Sequence, residues 1–191
     1  MPLTLPHILA FVRAHEPAAV VPINDRTTVA AVLVLLVLDQ DRLSVLLTKR
    51  TDRVEHHKGQ ISFPGGTVDE GDVDAVATAL REAEEEIGLS RGSVEILGRL
   101  DELEIPTGFR VTPVVGLVRG MPDLVLNLDE VEEAFIVPVG FFLDPANEQV
   151  GEREWKGRMH VVYSYQFESH RIWGATAAVI RKFLRAAAGL P

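Results

Sequence analysis

Three glutamates set close together on one predicted helix are the residues here whose spacing most directly suggests chemistry. The segment EAEEE at 82–86 places Glu82, Glu85 and Glu86 within four residues of each other. At about 100° per residue, Glu86 falls about 40° to one side of Glu82 and Glu85 about 60° to the other, so three carboxylates share one narrow face. Glu84 points nearly the opposite way. Like charges at this separation cost an isolated helix roughly 0.2–0.5 kcal/mol per pair. Acids near the C-terminal end also oppose the helix dipole. Tolerating both calls for a compensating cation. Hard oxygen donors suit Mg²⁺ or Mn²⁺, which take few carboxylates and fill their remaining positions with water and phosphate oxygens. Arg81, four residues before Glu85, can orient that carboxylate.

The helix is preceded by FPGG at 63–66. The proline fixes one bend, and Gly65 and Gly66 free the backbone for close approach to a ligand. Upstream again, Lys49, Arg50, Arg53 and Lys58 cluster with His56 and His57. Against an acidic background these bases can grip substrate phosphates, with arginine favoured for bidentate contacts.

The elements that must position these groups follow from periodicity and punctuation. Residues 74–87 read as a helix ending at the C′ glycine Gly88. Its apolar stripe is Val76, Ala79, Leu80, Ala83 and Ile87, so the carboxylates sit at the edge of a core contact. A second helix fits 175–188, with Arg181, Lys182 and Arg185 suiting its negative end, and a short one fits 5–15. The Val- and Leu-rich run 28–39 predicts a strand, joined through Asp39-Gln40-Asp41 to a hairpin partner at 43–49. Further strands are predicted at 94–103, 110–119, 124–126, 134–137 and 159–167. Strands that outnumber helices in irregular order point to a sandwich of helices on a sheet.

Composition narrows the function classes. Nineteen bases against 28 acids leave a net charge of −9, which argues against holding nucleic acid by bulk electrostatics. Residues 65–89 alone carry eight acids and one base, −7 of that total. Cysteine is absent, which excludes disulfides and thiolate chemistry and fits a cytoplasmic protein. The longest apolar run, 29–38, is too short to span a bilayer, and no basic-then-apolar leader opens the chain. With no repeat or linker composition, a single soluble domain over 1–191 is expected, without nucleic-acid or membrane partners.

At the glycine loop and acidic helix the sequence resembles the Nudix hydrolase family, whose box reads G-x5-E-x7-R-E-U-x-E-E-x-G-U with U aliphatic. Gly66 opens the box here, and REAEEEIGL at 81–89 matches its end. Two departures stand out: the span from Gly66 to Arg81 is one residue longer, and the first glutamate is missing, the nearest acids being Asp69, Glu70 and Asp72. Upstream, LLTKRTDRVEHHKGQISFPGG at 46–66 is similar to the signature of the coenzyme A pyrophosphatase branch, LLTxR[SA]x3Rx3Gx3FPGG. Thr51 stands where Ser or Ala is usual, and Glu55 takes the second arginine place, two residues from Arg53. TGFRVTPVVG at 107–116, NLDEV at 127–131 and RIWGATA at 171–177 look like the same branch.

The resemblance implies an α/β/α sandwich with a mixed β-sheet and a loop–helix–loop catalytic box. It implies metal-dependent hydrolysis of the diphosphate of coenzyme A or its derivatives, giving 3′,5′-ADP and 4′-phosphopantetheine. Glu82 and Glu86 become the metal ligands by their match to the box. Glu85 is a ligand to a second ion or an orienting base, and Glu130 in NLDEV is a further candidate base. NADH and ADP-ribose are alternative substrates, and a non-catalytic nucleotide-binding regulator is the reading from another class. Trp173 is expected to pack against the C-terminal helix, with adenine stacking as its other use.

Overall fold

The longest apolar run forms the centre of the molecule. In the computed structural model, which describes residues 3–18, 27–52, 59–105, 108–155 and 157–190, strand β1 (Thr28–Asp39) pairs in parallel with β7 (Phe109–Arg119), from Thr28 opposite Phe109 to Leu38 opposite Arg119. Its other edge pairs antiparallel with β2 (Arg42–Arg50) through the expected hairpin. Beyond the base of that hairpin the two strands part. The gap takes β3 (Ile61–Ser62), paired with β2, and β4 (Gly65–Thr67), paired with β1. The glycine loop is thereby stitched into the middle of the sheet. Strand β8 (Val131–Pro138) lines the far edge of β2, and β5 (Glu95–Arg99) and β6 (Leu103–Ile105) line the far edge of β7.

Both faces of this mixed sheet are covered. Successive β1 residues point to opposite sides: Ala31, Leu33, Leu35 and Val37 pack with Ala79, Ala83 and Ile87 of helix α2 (Ala75–Ile87). Val34 and Leu36 face the other core, shared with Ile180, Phe183 and Leu184 of α4 (Gly174–Ala187), with α1 (Leu5–Ala14) and with α3 (Val139–Leu143). Two-sided burial is why β1 reads as an unbroken apolar run. The three layers are those of the expected α/β/α sandwich. A second, antiparallel sheet of β9 (Glu148–Trp155), β10 (Arg158–Phe167) and β11 (His170–Trp173) joins the α4 side, with Tyr165 and Ile172 fully buried in that core.

The helices start or end within one residue of expectation, but two strand expectations need correction. The stretch 94–103 is broken into β5 and β6, because Arg99 lies opposite Val114 and Leu103 opposite Val111, which leaves one extra residue bulged out between them. The stretch 124–126 is no strand. It is an extended strap on the end of α2, where Val125 N–H donates to the Ile87 carbonyl and Asn127 N–H to that of Glu86, both at 2.9 Å. No described helix is long and apolar enough to cross a membrane.

Candidate active site

Helix α2 is held at both ends. The Asp74 carboxylate accepts from Ala77 N–H at 2.8 Å, and Gly88 closes the helix in the left-handed conformation at φ 67°. A Cβ there would lie 2.9 Å from Val125, so the glycine also admits the strap. Between these caps the buried face of α2 includes one charged residue, Glu86, which is 2% exposed. Its carboxylate accepts from the Gly65 N–H and from Arg50 Nη1, each at 3.2 Å. Burial pushes its pKa up to about 7 against the pull of Arg50 and the Gly65 N–H. A buried carboxylate with only these two partners is costly to keep ionised.

The two glycines serve different needs. At Gly65, φ is +154°, and a Cβ would meet the Ala31 carbonyl at 2.4 Å, so the loop can cross β1 only without a side chain. At Gly66 a Cβ would lie 2.5 Å from the Glu82 carboxylate. Loop backbone and helix carboxylate therefore touch directly.

Arg81 ties loop to helix. Its Nε and Nη2 donate to the two Asp72 oxygens at 3.1 and 2.9 Å, and Nη2 also reaches the Thr67 carbonyl at 2.9 Å. Nη1 donates to Glu82 at 2.9 Å and to Glu85 at 3.0 Å, so the expected orientation of Glu85 is present. Burial raises the Glu82 pKa while Arg81 holds it down. Asp72 also accepts from Asp69 N–H and the Thr78 hydroxyl, each at 2.9 Å. The guanidinium, chiefly, holds its carboxyl far below the ordinary carboxylate range. Sequence reading left Asp72 as one acid among three. The signal that singles it out is its place six residues after Gly66, where the box has its first glutamate; the shorter acid reaches Arg81 from the longer loop.

The strap at the end of α2 leads directly to Glu130. Asn127 Nδ2 donates to Glu130 Oε1 at 3.2 Å, and the Glu130 carboxylate lies 4.0 Å from Arg50 Nη2. Its negative charge also raises the pKa of both Glu82 and Glu86. Arg50 thus stands between Glu86 and Glu130. Lys49 is not part of this group, because its Nζ donates to Glu132 at 2.7 Å. Arg53 and Lys58, with Glu55, His56 and His57, lie outside the described residues. Among the described residues no three acidic or histidine side chains converge as metal ligands do; Glu82 and Glu86 instead face Arg81 and Arg50.

Trp173 departs from its expected packing. Its neighbour Ile172 enters the α4 core, which turns the Trp173 ring to the opposite face of β11, beneath the Arg153 guanidinium at 5.4 Å from the ring centroid.

Comparison with known proteins agrees with this layout. A model of the NUDIX domain matches residues 27–159. Nudix hydrolase NudL of Photorhabdus laumondii, itself uncharacterized, is 38% identical over 160 residues, covering 84% of this chain and 85% of its own. The uncharacterized NudL of Yersinia enterocolitica is 41% identical over 156 residues, covering 80% and 78%. Among solved structures, the Nudix hydrolase RenU of Mycobacterium smegmatis superposes with a TM-score of 0.57 at 19% identity, covering 87% of this chain and 88% of that one.

Proposed function

The chain belongs to the Nudix family, and from that premise we propose that it is a divalent-metal-dependent hydrolase cleaving the diphosphate of coenzyme A or its derivatives to 3′,5′-ADP and 4′-phosphopantetheine. The reaction class, hydrolysis of a nucleoside diphosphate derivative, is that of the family. The coenzyme A assignment is finer and is supported by the signature residues LLT, Arg50, Gly59 and FPGG of the 46–66 segment.

The observation that carries the reading is the contact of Gly65 and Gly66 with Glu86 and Glu82. The donor set fits a hard cation: two carboxylates of half-buried or buried character abut a loop whose backbone needs glycine to come so close. Glu82 and Glu86 would hold Mg²⁺ or Mn²⁺. Such an ion, when bound, neutralises phosphate oxygens, aligns the reacting groups and lowers the pKa of bound water.

The chain's own groups do the rest. Arg81, anchored by Asp72, holds Glu82 and Glu85 on the helix face. Glu85, about half exposed beside Arg81, and Glu130, 4.0 Å from Arg50, are assigned as the groups that take a proton from water, Glu85 being otherwise a ligand to a second ion. Arg50 is positioned to transfer its charge from Glu86 to a substrate phosphate, where its fork suits bidentate contact. Arg53 and Lys58 are assigned to the same phosphate-gripping role by sequence.

The test is a substrate panel of coenzyme A, NADH and ADP-ribose with Mg²⁺ and with chelator, products identified by mass. Coenzyme A should be cleaved fastest, to the two named products, and only with metal. Faster cleavage of NADH or ADP-ribose would transfer the assignment to that substrate. No metal-dependent turnover of any of them would leave a nucleotide-binding regulator.

A further inference from the structure

The second sheet has an outer face that the catalytic reading does not use. Tyr165 and Ile172 are buried toward the core on the α4 side, so alternate residues of the same strands point outward. Gly151 and Arg153 of β9, Val162 and Ser164 of β10, and Arg171 and Trp173 of β11 line a hollow of about 450 Å³ there. That size is within the range of small-molecule sites. The core beneath it is the one shared with α4, whereas α2 and its carboxylates belong to the other core.

Three features give the hollow a chemistry. The first is charge. Among the described residues neither Arg153 nor Arg171 pairs with a carboxylate, in a chain of net charge −9. Of the acids of β9, Glu148 turns to the core side, where it accepts from Tyr165 and Arg181 at 3.1 and 2.8 Å, and Glu152 reaches the hollow's rim without pairing with either arginine. Two arginines that pair with no described carboxylate, against the single acid Glu152, make a surface for an anion. The second is the Trp173 ring, over which Arg153 reaches across β10 to 5.4 Å from the centroid. A guanidinium over an indole is a stacking platform for a flat ring. The third is Gly151, opposite Val162, where a Cβ would meet nothing within 4 Å. The missing side chain leaves the floor open beside Val162, with the buried Ser164 two residues along β10.

We propose that this hollow is a nucleotide-binding site separate from the catalytic one, stacking a nucleobase on Trp173 and holding a phosphate with Arg153 and Arg171. A planar base takes the place of the Arg153 guanidinium over the ring, which frees that charge for the phosphate. The phosphate supplies a counter-charge to the two arginines. Because the site needs no catalytic metal, it fills whether or not the enzyme can turn over.

The test is calorimetric titration of the full chain with AMP in EDTA, with adenosine and inorganic phosphate as separate titrants, so no turnover is read and the result is independent of the proposed reaction. AMP should bind saturably and more tightly than either fragment. Arg171→Ala and Gly151→Leu should each weaken AMP by about tenfold or more, the worth of a charge-assisted contact or of a filled site. Glu86→Gln should leave AMP affinity unchanged. Gly151 has no left-handed φ and open space at its Cβ, so the leucine should be accommodated, and far-UV circular dichroism of both variants checks folding. The proposal is overturned by absence of saturable AMP binding, by affinity unchanged in folded Arg171→Ala and Gly151→Leu, or by adenosine or phosphate alone binding as tightly as AMP.

Discussion

Glu86 shows what a single residue contributes and what it costs. It shares the buried face of α2 with Ala79, Ala83 and Ile87, and burial favours the neutral acid. Replacing it with glutamine removes a charge that is expensive to bury while keeping the shape. Glu86→Gln should therefore lose Mg²⁺-dependent turnover while the melting temperature of the metal-free protein stays level or rises; a fall of more than a few degrees would mean the carboxylate is structural. The helical wheel made the shared face of Glu82, Glu85 and Glu86 legible in sequence. It could not show that Glu86 is the buried one. That follows from partners 21 and 36 residues away, Gly65 and Arg50, which only the folded sheet brings to it. The role of Asp72 was hidden for the same reason, since its meaning lies in the Arg81 guanidinium across the loop.

At the scale of elements, the unit that matters is the loop and helix joined by Arg81. Gly66→Ala would set a methyl 2.5 Å from the Glu82 carboxylate. Displacing a catalytic group by about 1 Å costs on the order of 10²-fold in rate, so kcat should fall by about that factor while the thermal melt changes little. Asp72→Ala removes the anchor of Arg81 and should cost about 1–2 kcal/mol of stability. The acidity of Asp72 gives this a pH signature. Its folded pKa lies below the ordinary 3.8, so the pair's stabilisation is complete above that value and drains away as pH falls further. Urea melts at pH 7 and pH 3 should show the Asp72→Ala penalty shrinking at the lower pH; an equal penalty at both would contradict the ion pair. Helix ends were readable here because Asp74 and Gly88 are strong caps. The strap at 124–126 was not, because Leu124 and Leu126 alternate as a strand does, yet their backbone bonds go to the end of α2.

Across the whole molecule, two cores share one sheet, and the second sheet is fastened to the α4 side by Tyr165, Glu148 and Arg181. Tyr165→Phe deletes a buried hydroxyl's bond to Glu148 at 3.1 Å. The expected cost is about 1 kcal/mol, a melting point lower by about 2–4 °C, with kcat unchanged because α2 lies on the other side; a change in kcat would show that the two sides are coupled. The layered architecture was legible from the two-sided apolar strand β1. The second sheet was only half visible, since β9 is crowded with charge and lacks the alternation that marks β10. The pairing of β1 also sets the timetable of folding. Val29 meets Arg110 and Leu38 meets Arg119, so the centre of the sheet must wait for a partner made after the glycine loop and α2. A chain emerging residue by residue holds its most apolar strand half-paired through that interval, and such separation in sequence slows assembly and exposes an edge to other chains. Refolding yield should accordingly fall with protein concentration more steeply than activity at equilibrium would suggest, a cost of placing the glycine loop and α2 between the two central strands in sequence.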